Sequence, residues 1–477
     1  MLRGGRNFEK AGTMADQFDV IVIGAGPPGE VAAGRCADGG LAVALVEREL
    51  VGGECSYWAC IPSKTLIRPG DVLAAARRVP GAAEAVTGRL AAAAAFAQRD
   101  YMTSNWNDEG ALDWVEQEGI ELVRGTGRLA GERRVQVELA GGGQRTLTAR
   151  RAVVLATGSA PTIPPVPGLA EARPWDNRGA TGTSEVPGRL VVLGGGPVGC
   201  ELAQAFRRLG SDEVTVVVRG GRLLAREEPF AGQEVAAAFE AEGIAVRTRT
   251  EVASVRRQRP GGPVTVALGG GGELAGDELL VATGRRPRTG DVGLDTVGLE
   301  GGGPVRVDRR LRAEGVGDGW LFAVGDCNGL APLTHMGKYQ GRLAGDVILG
   351  RDAEDLADYG VVPRVTFTDP QVCAVGPTEA EARGAGLDIR VVRTDTGGVA
   401  GAYVQGNGIA GTSQLLVDQG RRLVVGATFT GPGTQELLHS ATVAVAGQVP
   451  LERLWHAVPS FPTVSEVWLR LLEAYGL

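Results

Sequence analysis

Short apolar runs that stop at glycine clusters set the rhythm of this chain. Phe18 to Ile23 is one such run, and it opens directly into Gly24-Ala25-Gly26-Pro27-Pro28-Gly29. Runs of this length, rich in aliphatic residues and bounded by turn residues, predict buried strands. Glu30 to Asp38 begins a helix, and Leu41 to Val46 is a second strand ending at Glu47. The pattern returns 170 residues on: strand Arg189 to Leu193, turn Gly194-Gly195-Gly196-Pro197-Val198-Gly199, Cys200-Glu201, then strand Glu213 to Val218. Gly141 to Gly143 and Gly269 to Gly272 read as hairpin or loop punctuation.

Each glycine turn has a chemical reading. Glycines permit a tight turn and close approach of a pyrophosphate, whose charge rests on the helix N-terminus. Glu47 stands where a carboxylate accepts protons from both ribose hydroxyls. One such turn is a weak signal. Two in one chain, each with strand, helix and second strand, predict two bound dinucleotides. The second unit ends in Val218-Arg219 instead of an acid, and Arg219 suits a 2′-phosphate.

Composition narrows the frame. The 477 residues exceed what one core organises, so two to four domains are expected. A net charge of −7 argues weakly against nucleic acid as the main partner. No apolar run is long enough to span a membrane. Residues 1–13 carry basic residues without a signal-peptide core, and are expected to be a disordered extension ahead of a start at Met14. Six cysteines without an export signal suggest the cytoplasm, where a disulfide serves chemistry more often than structure. No metal site is expected.

The cysteines that matter are Cys55 and Cys60, in Gly52-Gly53-Glu54-Cys55-Ser56-Tyr57-Trp58-Ala59-Cys60-Ile61-Pro62-Ser63-Lys64. A Cys-x4-Cys pair here can cycle between dithiol and disulfide. Both are expected near the start of a helix, where Pro62 is tolerated and the N-terminus favours a thiolate. This block resembles the redox-active segment of the pyridine nucleotide-disulfide oxidoreductase family.

The resemblance extends along the chain through Val153-Val154-Leu155-Ala156-Thr157-Gly158-Ser159, Leu280 to Pro287, Leu321-Phe322-Ala323-Val324-Gly325-Asp326, Leu333-Thr334-His335 to Arg342, and Val362 to Pro370. It implies an α/β fold with two Rossmann-like nucleotide-binding domains and an α+β C-terminal dimerisation domain. An FAD-binding domain would cover 14–165 and 286–355, an NAD(P)-binding domain 166–285, and an interface domain 356–477, in a homodimer. FAD contacts would come from Gly24, Gly26, Gly29, Glu47, Gly53, Lys64, Gly127, Thr157, Gly158, Ser159, Gly325, Asp326, Leu333 and Thr334, with Asp326 on the ribityl chain. The second dinucleotide would meet Gly194, Gly196, Gly199, Glu201, Val218, Arg219 and Gly284. Val218-Arg219 favours NADPH, whereas Gly199 leans toward NADH. A second family arginine aligns near Ala225, so Arg222 or Arg226 would substitute. The resemblance makes Cys60 the thiol facing the flavin and Cys55 the interchange thiol, and pairs Lys64 with Glu201.

Two departures stand out. Tyr57-Trp58-Ala59 replaces the usual Asn-x-Gly between the cysteines, with one aromatic expected to pack and the other to line the substrate pocket. Phe461 occupies the position of the family's acid/base histidine in Phe461-Pro462-Thr463-Val464-Ser465-Glu466, leaving Glu466 with nothing evident to orient. His439 and His456 are read as structural, with His456, five residues before Phe461, as a relocated base the alternative. The terminal run Glu473 to Leu477 lacks a cysteine pair and no N-terminal metal-binding domain precedes the first strand, which is read against a mercuric reductase. The leading expectation is hydride transfer from NAD(P)H through FAD to the Cys55–Cys60 disulfide, then to a small disulfide or other electrophile. The alternatives are direct transfer from flavin to quinone or oxygen, flavin-dependent oxidation of a specialised metabolite, and a non-catalytic flavin-bearing scaffold.

Overall fold

The computed structural model describes residues 16–477. The extension expected at 1–13 and the start at Met14 lie outside the described residues. These form two compact units: one takes the described residues through Gly53 with Asp108–Ser159 and Pro287–Leu356, the other Glu54–Asn107, Ala160–Arg286 and Ala357–Leu477.

The first unit is built on one sheet. Asp16–Ile23 pairs in parallel with Val43–Glu47 on one side and with Gln144–Leu155 on the other. Glu121–Leu129 lies beyond Val43–Glu47, and Leu321–Ala323 beyond Gln144–Leu155, both parallel. Strands buried on both faces need no polar alternation, and Val20, Ile21 and Val22 are all fully buried. Ile21, Ile23, Val153 and Leu155 enter one core; Val20, Val22, Ala152 and Val154 enter another with the helices Pro27–Asp38 and Thr334–Ile348. Arg134–Leu139 joins the sheet antiparallel to Glu121–Leu129 and Gln144–Leu155. Its turn at Gly142 and Gly143 takes positive φ, as a glycine hairpin requires.

Among the described residues, the second unit holds three sheets of three or more strands and the helix Cys60–Arg78. Glu278–Val281, Arg189–Leu193, Glu213–Val217 and Ile244–Arg247 form a four-stranded parallel sheet in that order. Val252–Arg257, Val264–Leu268 and Glu273–Gly276 make an antiparallel sheet whose last turn is the Gly269–Gly272 cluster. The C-terminal segment folds into five antiparallel strands, ordered Arg364–Thr366, Gln371–Val375, Leu423–Gly431, Thr412–Asp418, Ile389–Asp395. Thr434–Ala446 and Val467–Tyr475 cover it through Leu438, Ala441, Trp468 and Leu471. The expected fold class is borne out. Among the described residues, no helix is long and apolar enough to cross a membrane.

Candidate active site

The two glycine turns are built alike. Gly24 has φ +102°, and a Cβ there would fall 2.4 Å from the Ala156 carbonyl oxygen; Gly194 has φ +115°, and a Cβ would fall 2.3 Å from that of Ala282. A Cβ on Gly29 would meet the Gly24 oxygen at 1.9 Å, and one on Gly199 the Gly194 oxygen at 2.0 Å. These four glycines are therefore demanded by the fold itself. Gly26 and Gly196 are different: a Cβ at either meets nothing within 4 Å. Both stand immediately before a helix, at Pro27 and Pro197, and the space beside each is open for the phosphate that a helix N-terminus attracts. This geometry fits the pyrophosphate of a dinucleotide at each turn, a group that FAD and NAD(P) both carry.

Glu47 is buried, and each carboxylate oxygen accepts a backbone N–H, Oε2 from Ala25 at 2.7 Å and Oε1 from Glu49 at 2.8 Å. These bonds fix the carboxylate at the strand end while leaving lone pairs for ribose hydroxyls. The Gly52 N–H reaches the Ala25 carbonyl at 2.8 Å, and Gly53 sits so close to Gly26 that a Cβ would come within 2.7 Å of its Cα. The segment leading to Cys55 thus starts against the first glycine turn. Asp326, in the turn Gly325–Asn328, accepts from Ser159 Oγ at 2.5 Å. The buried Gln340 pins that turn, its Oε1 accepting from Gly325 N at 2.7 Å and Asn328 Nδ2 at 2.9 Å. Gly127 lies in the strand Glu121–Leu129, Thr157 and Gly158 follow Gln144–Leu155, and Leu333 caps the helix that Thr334 opens.

The cysteine segment differs from the single helix expected. Cys55 lies in a short helix, Gly53–Tyr57, and Cys60 is the first residue of the 19-residue helix Cys60–Arg78. The break is at Ala59, whose φ −130°, ψ −94° leave the helical region. Cys60 is thereby set at a helix N-terminus, where thiolates are favoured. The remaining cysteines are unsuited to ionise. Burial pushes Cys36, Cys327 and Cys373 up to about 12 and raises Cys200 as well.

One turn into the long helix, Lys64 Nζ is 2.7 Å from Glu201 Oε2. Glu201 is only 4 % exposed, and its Oε1 accepts from Phe367 N at 2.9 Å, so both oxygens are satisfied. Lys64 also stands 4.8 Å from the Phe367 ring centroid. Between the cysteines, Tyr57 is buried, and its carbonyl accepts from Trp106 Nε1 at 3.1 Å. Trp58 lies under the Arg178 guanidinium, 4.0 Å from its ring centroid. Arg178 and Asn177 carry no recognisable motif, and only the folded chain brings them to this segment.

At the second dinucleotide site, Arg222 is unsuited to replace the second family arginine. Its Nη2 donates to the carbonyls of Ala225 and Glu227, each at 2.8 Å. Arg219 and Arg226 are exposed. Arg249, missed in the sequence because it follows a different strand, donates its N–H to the Gly220 carbonyl at 2.8 Å. Its Nη2 comes within 3.5 Å of where a Gly221 Cβ would be.

Near the C-terminus, Phe461 is 76 % exposed and His439 and His456 are exposed. Glu466 is buried; its Oε1 accepts from Arg470 Nη2 at 2.8 Å, while Oε2 has no hydrogen-bond partner among the described residues. One oxygen of Glu466 thus pairs with Arg470, one helical turn on.

Comparison with known proteins matches residues 18–341 to the pyridine nucleotide-disulphide oxidoreductase model and 362–471 to its dimerisation domain. The chain is 33 % identical to a mercuric reductase of Streptomyces lividans over 92 % of this chain and 93 % of that one. It is 30 % identical to a dihydrolipoyl dehydrogenase of Chlamydia muridarum over 95 % and 96 %. The fold is similar to that of the HOCl-induced flavoprotein disulfide reductase RclA of Escherichia coli, with a TM-score of 0.85, 24 % identity, and 96 % and 99 % of the two chains covered. Two nucleotide cradles, a Cys-x4-Cys segment and a matching terminal domain agree with these relationships: the chain belongs to the pyridine nucleotide-disulphide oxidoreductase family and is an FAD-dependent enzyme of that class.

Proposed function

We propose that this enzyme uses NADPH to reduce a small disulfide or other soft electrophile, with Cys55 as the interchange thiol and Cys60 as the thiol facing the flavin. FAD, held by the first glycine turn with Glu47 and Asp326, would supply the two-electron chemistry that links a nicotinamide to the cysteine pair. The observation that carries the reading is the placement of Cys60 at the head of the long helix, one turn before the Lys64–Glu201 pair. The helix N-terminus favours negative charge on that thiol. Glu201 holds Lys64 in place, and Gly26 and Gly196 leave room for the two pyrophosphates. Mercuric reductases among the relatives make a thiophilic metal ion a candidate electrophile, and Cys55 and Cys60 are the cysteines here suited to receive it.

NADPH is favoured by the arginines that follow the strand Glu213–Val217 in sequence or are tied to its exit by the fold. Arg219 follows the strand, Arg226 is exposed nearby in sequence, and Arg249 is tied to Gly220 by its backbone. Guanidinium groups there match the geometry of a ribose 2′-phosphate.

Phe461 supports a second reading, in which the acceptor is a quinone or oxygen that meets the flavin directly. Phenylalanine cannot move a proton, and losing a general acid/base costs about 10²–10⁴-fold in rate. Anaerobic titration with NADPH, then NADH, separates the readings. A long-wavelength thiolate band near two-electron reduction supports the disulfide route; bleaching without it supports the direct one. On the first reading Phe461→His raises disulfide-reductase kcat at least about tenfold; no gain across a panel of disulfides counts against it.

A further inference from the structure

The segment between the cysteines is gripped by a short helix of the same unit. Asp176 caps the helix Asn177–Gly182, accepting from Arg178 N at 2.8 Å and Gly179 N at 3.0 Å. From there Arg178 forms a two-pronged pair with Glu54, Nε to Oε1 at 2.8 Å and Nη2 to Oε2 at 3.0 Å. Its planar group also covers the Trp58 ring. Asn177 Nδ2 donates to the Trp58 carbonyl at 2.8 Å and to Glu54 Oε1 at 3.3 Å, and Thr181 Oγ1 donates to the same carbonyl at 3.2 Å. Beneath this helix Arg99, 1 % exposed, donates to the carbonyls of Thr181 and Thr183.

Glu54 is the residue immediately before Cys55. A bare carboxylate beside a thiol opposes thiolate formation, because like charges raise the pKa. A bidentate guanidinium removes most of that penalty and fixes the carboxylate in one orientation. The other charged groups brought to this region have their own partners: Lys64 meets Glu201, Asp176 caps its helix, Arg285 Nη1 donates to Asn177 Oδ1 at 3.0 Å, and Arg99 meets the two carbonyls.

We infer that Arg178 is a positioning residue for the redox pair: its grip on Glu54 and Trp58 neutralises the charge next to Cys55 and holds the inter-cysteine segment in place. Tyr57 and Trp58 then both serve to anchor that segment, one buried beneath it and one stacked under Arg178. The inference rests on the reading of Cys55 as the interchange thiol.

The test is the pH profile of iodoacetamide alkylation of the two-electron-reduced holoenzyme, with the modified cysteine identified by peptide mass. In the wild type, alkylation falls on Cys55. Arg178→Gln slows it about tenfold near neutral pH by moving the profile upward. Glu54→Gln moves the profile the other way, and the double variant returns toward wild type. An unmoved Arg178→Gln profile overturns the inference, and so does a double variant as displaced as Arg178→Gln, since removing the opposing charge would not repair a purely structural defect. Should Arg178→Gln fail to fold, Glu54→Gln alone decides, because an unchanged profile there removes the charge coupling. Wild-type alkylation on Cys60 instead would sink the reading of Cys55 itself.

Discussion

At the scale of single residues, the glycines of each turn separate into two kinds. Gly29→Ala drives a methyl into the Gly24 carbonyl and destabilises the chain with or without flavin. Gly26→Ala meets only open space, so the apoprotein keeps its Tm while the purified protein loses bound flavin. Absorbance near 450 nm per mole of protein, alongside apoprotein melting curves, checks both; equal Tm losses for the two variants would contradict the distinction. Lys64 and Glu201 are linked differently. Glu201 is almost fully buried while Lys64 is 37 % exposed on its side chain, so removing the lysine strands a buried carboxylate. Lys64→Met is expected to lower stability by about 1–3 kcal/mol, and adding Glu201→Gln recovers part of it, a coupling readable from a double-mutant cycle in urea. Additive losses would mean the pair carries no net interaction.

At the scale of elements, the first helix carries a pH dependence. Burial raises the Glu30 carboxyl from 4.5 to about 7, and nearby Lys338 offsets only part of that. A carboxyl raised in the folded state binds its proton more tightly there, so its favourable contribution is complete below about 4.5 and is lost as pH rises through 7. The loss amounts to at most about 3 kcal/mol, since Glu30 keeps some access to water. Glu30→Gln should therefore gain Tm relative to wild type as pH goes from 5 to 8, and a constant difference would refute the assignment. The element scale also shows where pattern reading stopped. Both strand–turn–helix units were legible, because continuous apolar runs ending in spaced glycines have few other solutions. The break at Ala59 was not: it is a backbone excursion within Cys55–Cys60 that no residue type there demands.

At the scale of the whole molecule, the terminal domain leaves Tyr403, Val404, Val443, Val458 and Phe461 exposed in the single chain, Val458 by 84 %. A domain of the family's dimerisation type gives those residues an expected partner, a second copy of this chain. Sedimentation should report two chains per particle, and Val443→Asp with Val458→Asp should shift it toward one; a wild-type monomer at micromolar concentration would refute the homodimer.

The amino-acid order alone determined the fold class, both nucleotide cradles and the candidate redox pair, because each is local: a few residues at set spacing must turn, approach a phosphate or face one another. It also showed Phe461 ahead of Pro462 and Glu466, where the resemblance implies a histidine. Tertiary structure alone decided what surrounds those local features. Arg178 and Glu54 lie 124 positions apart, Arg249 reaches Gly220 from a neighbouring strand, and Arg222 is taken up by two carbonyls. The first two pairings depend on how distant segments pack and the third on how a loop closes on itself, and an arginine in sequence has the same appearance whether it grips a carboxylate, meets a phosphate or tightens a loop.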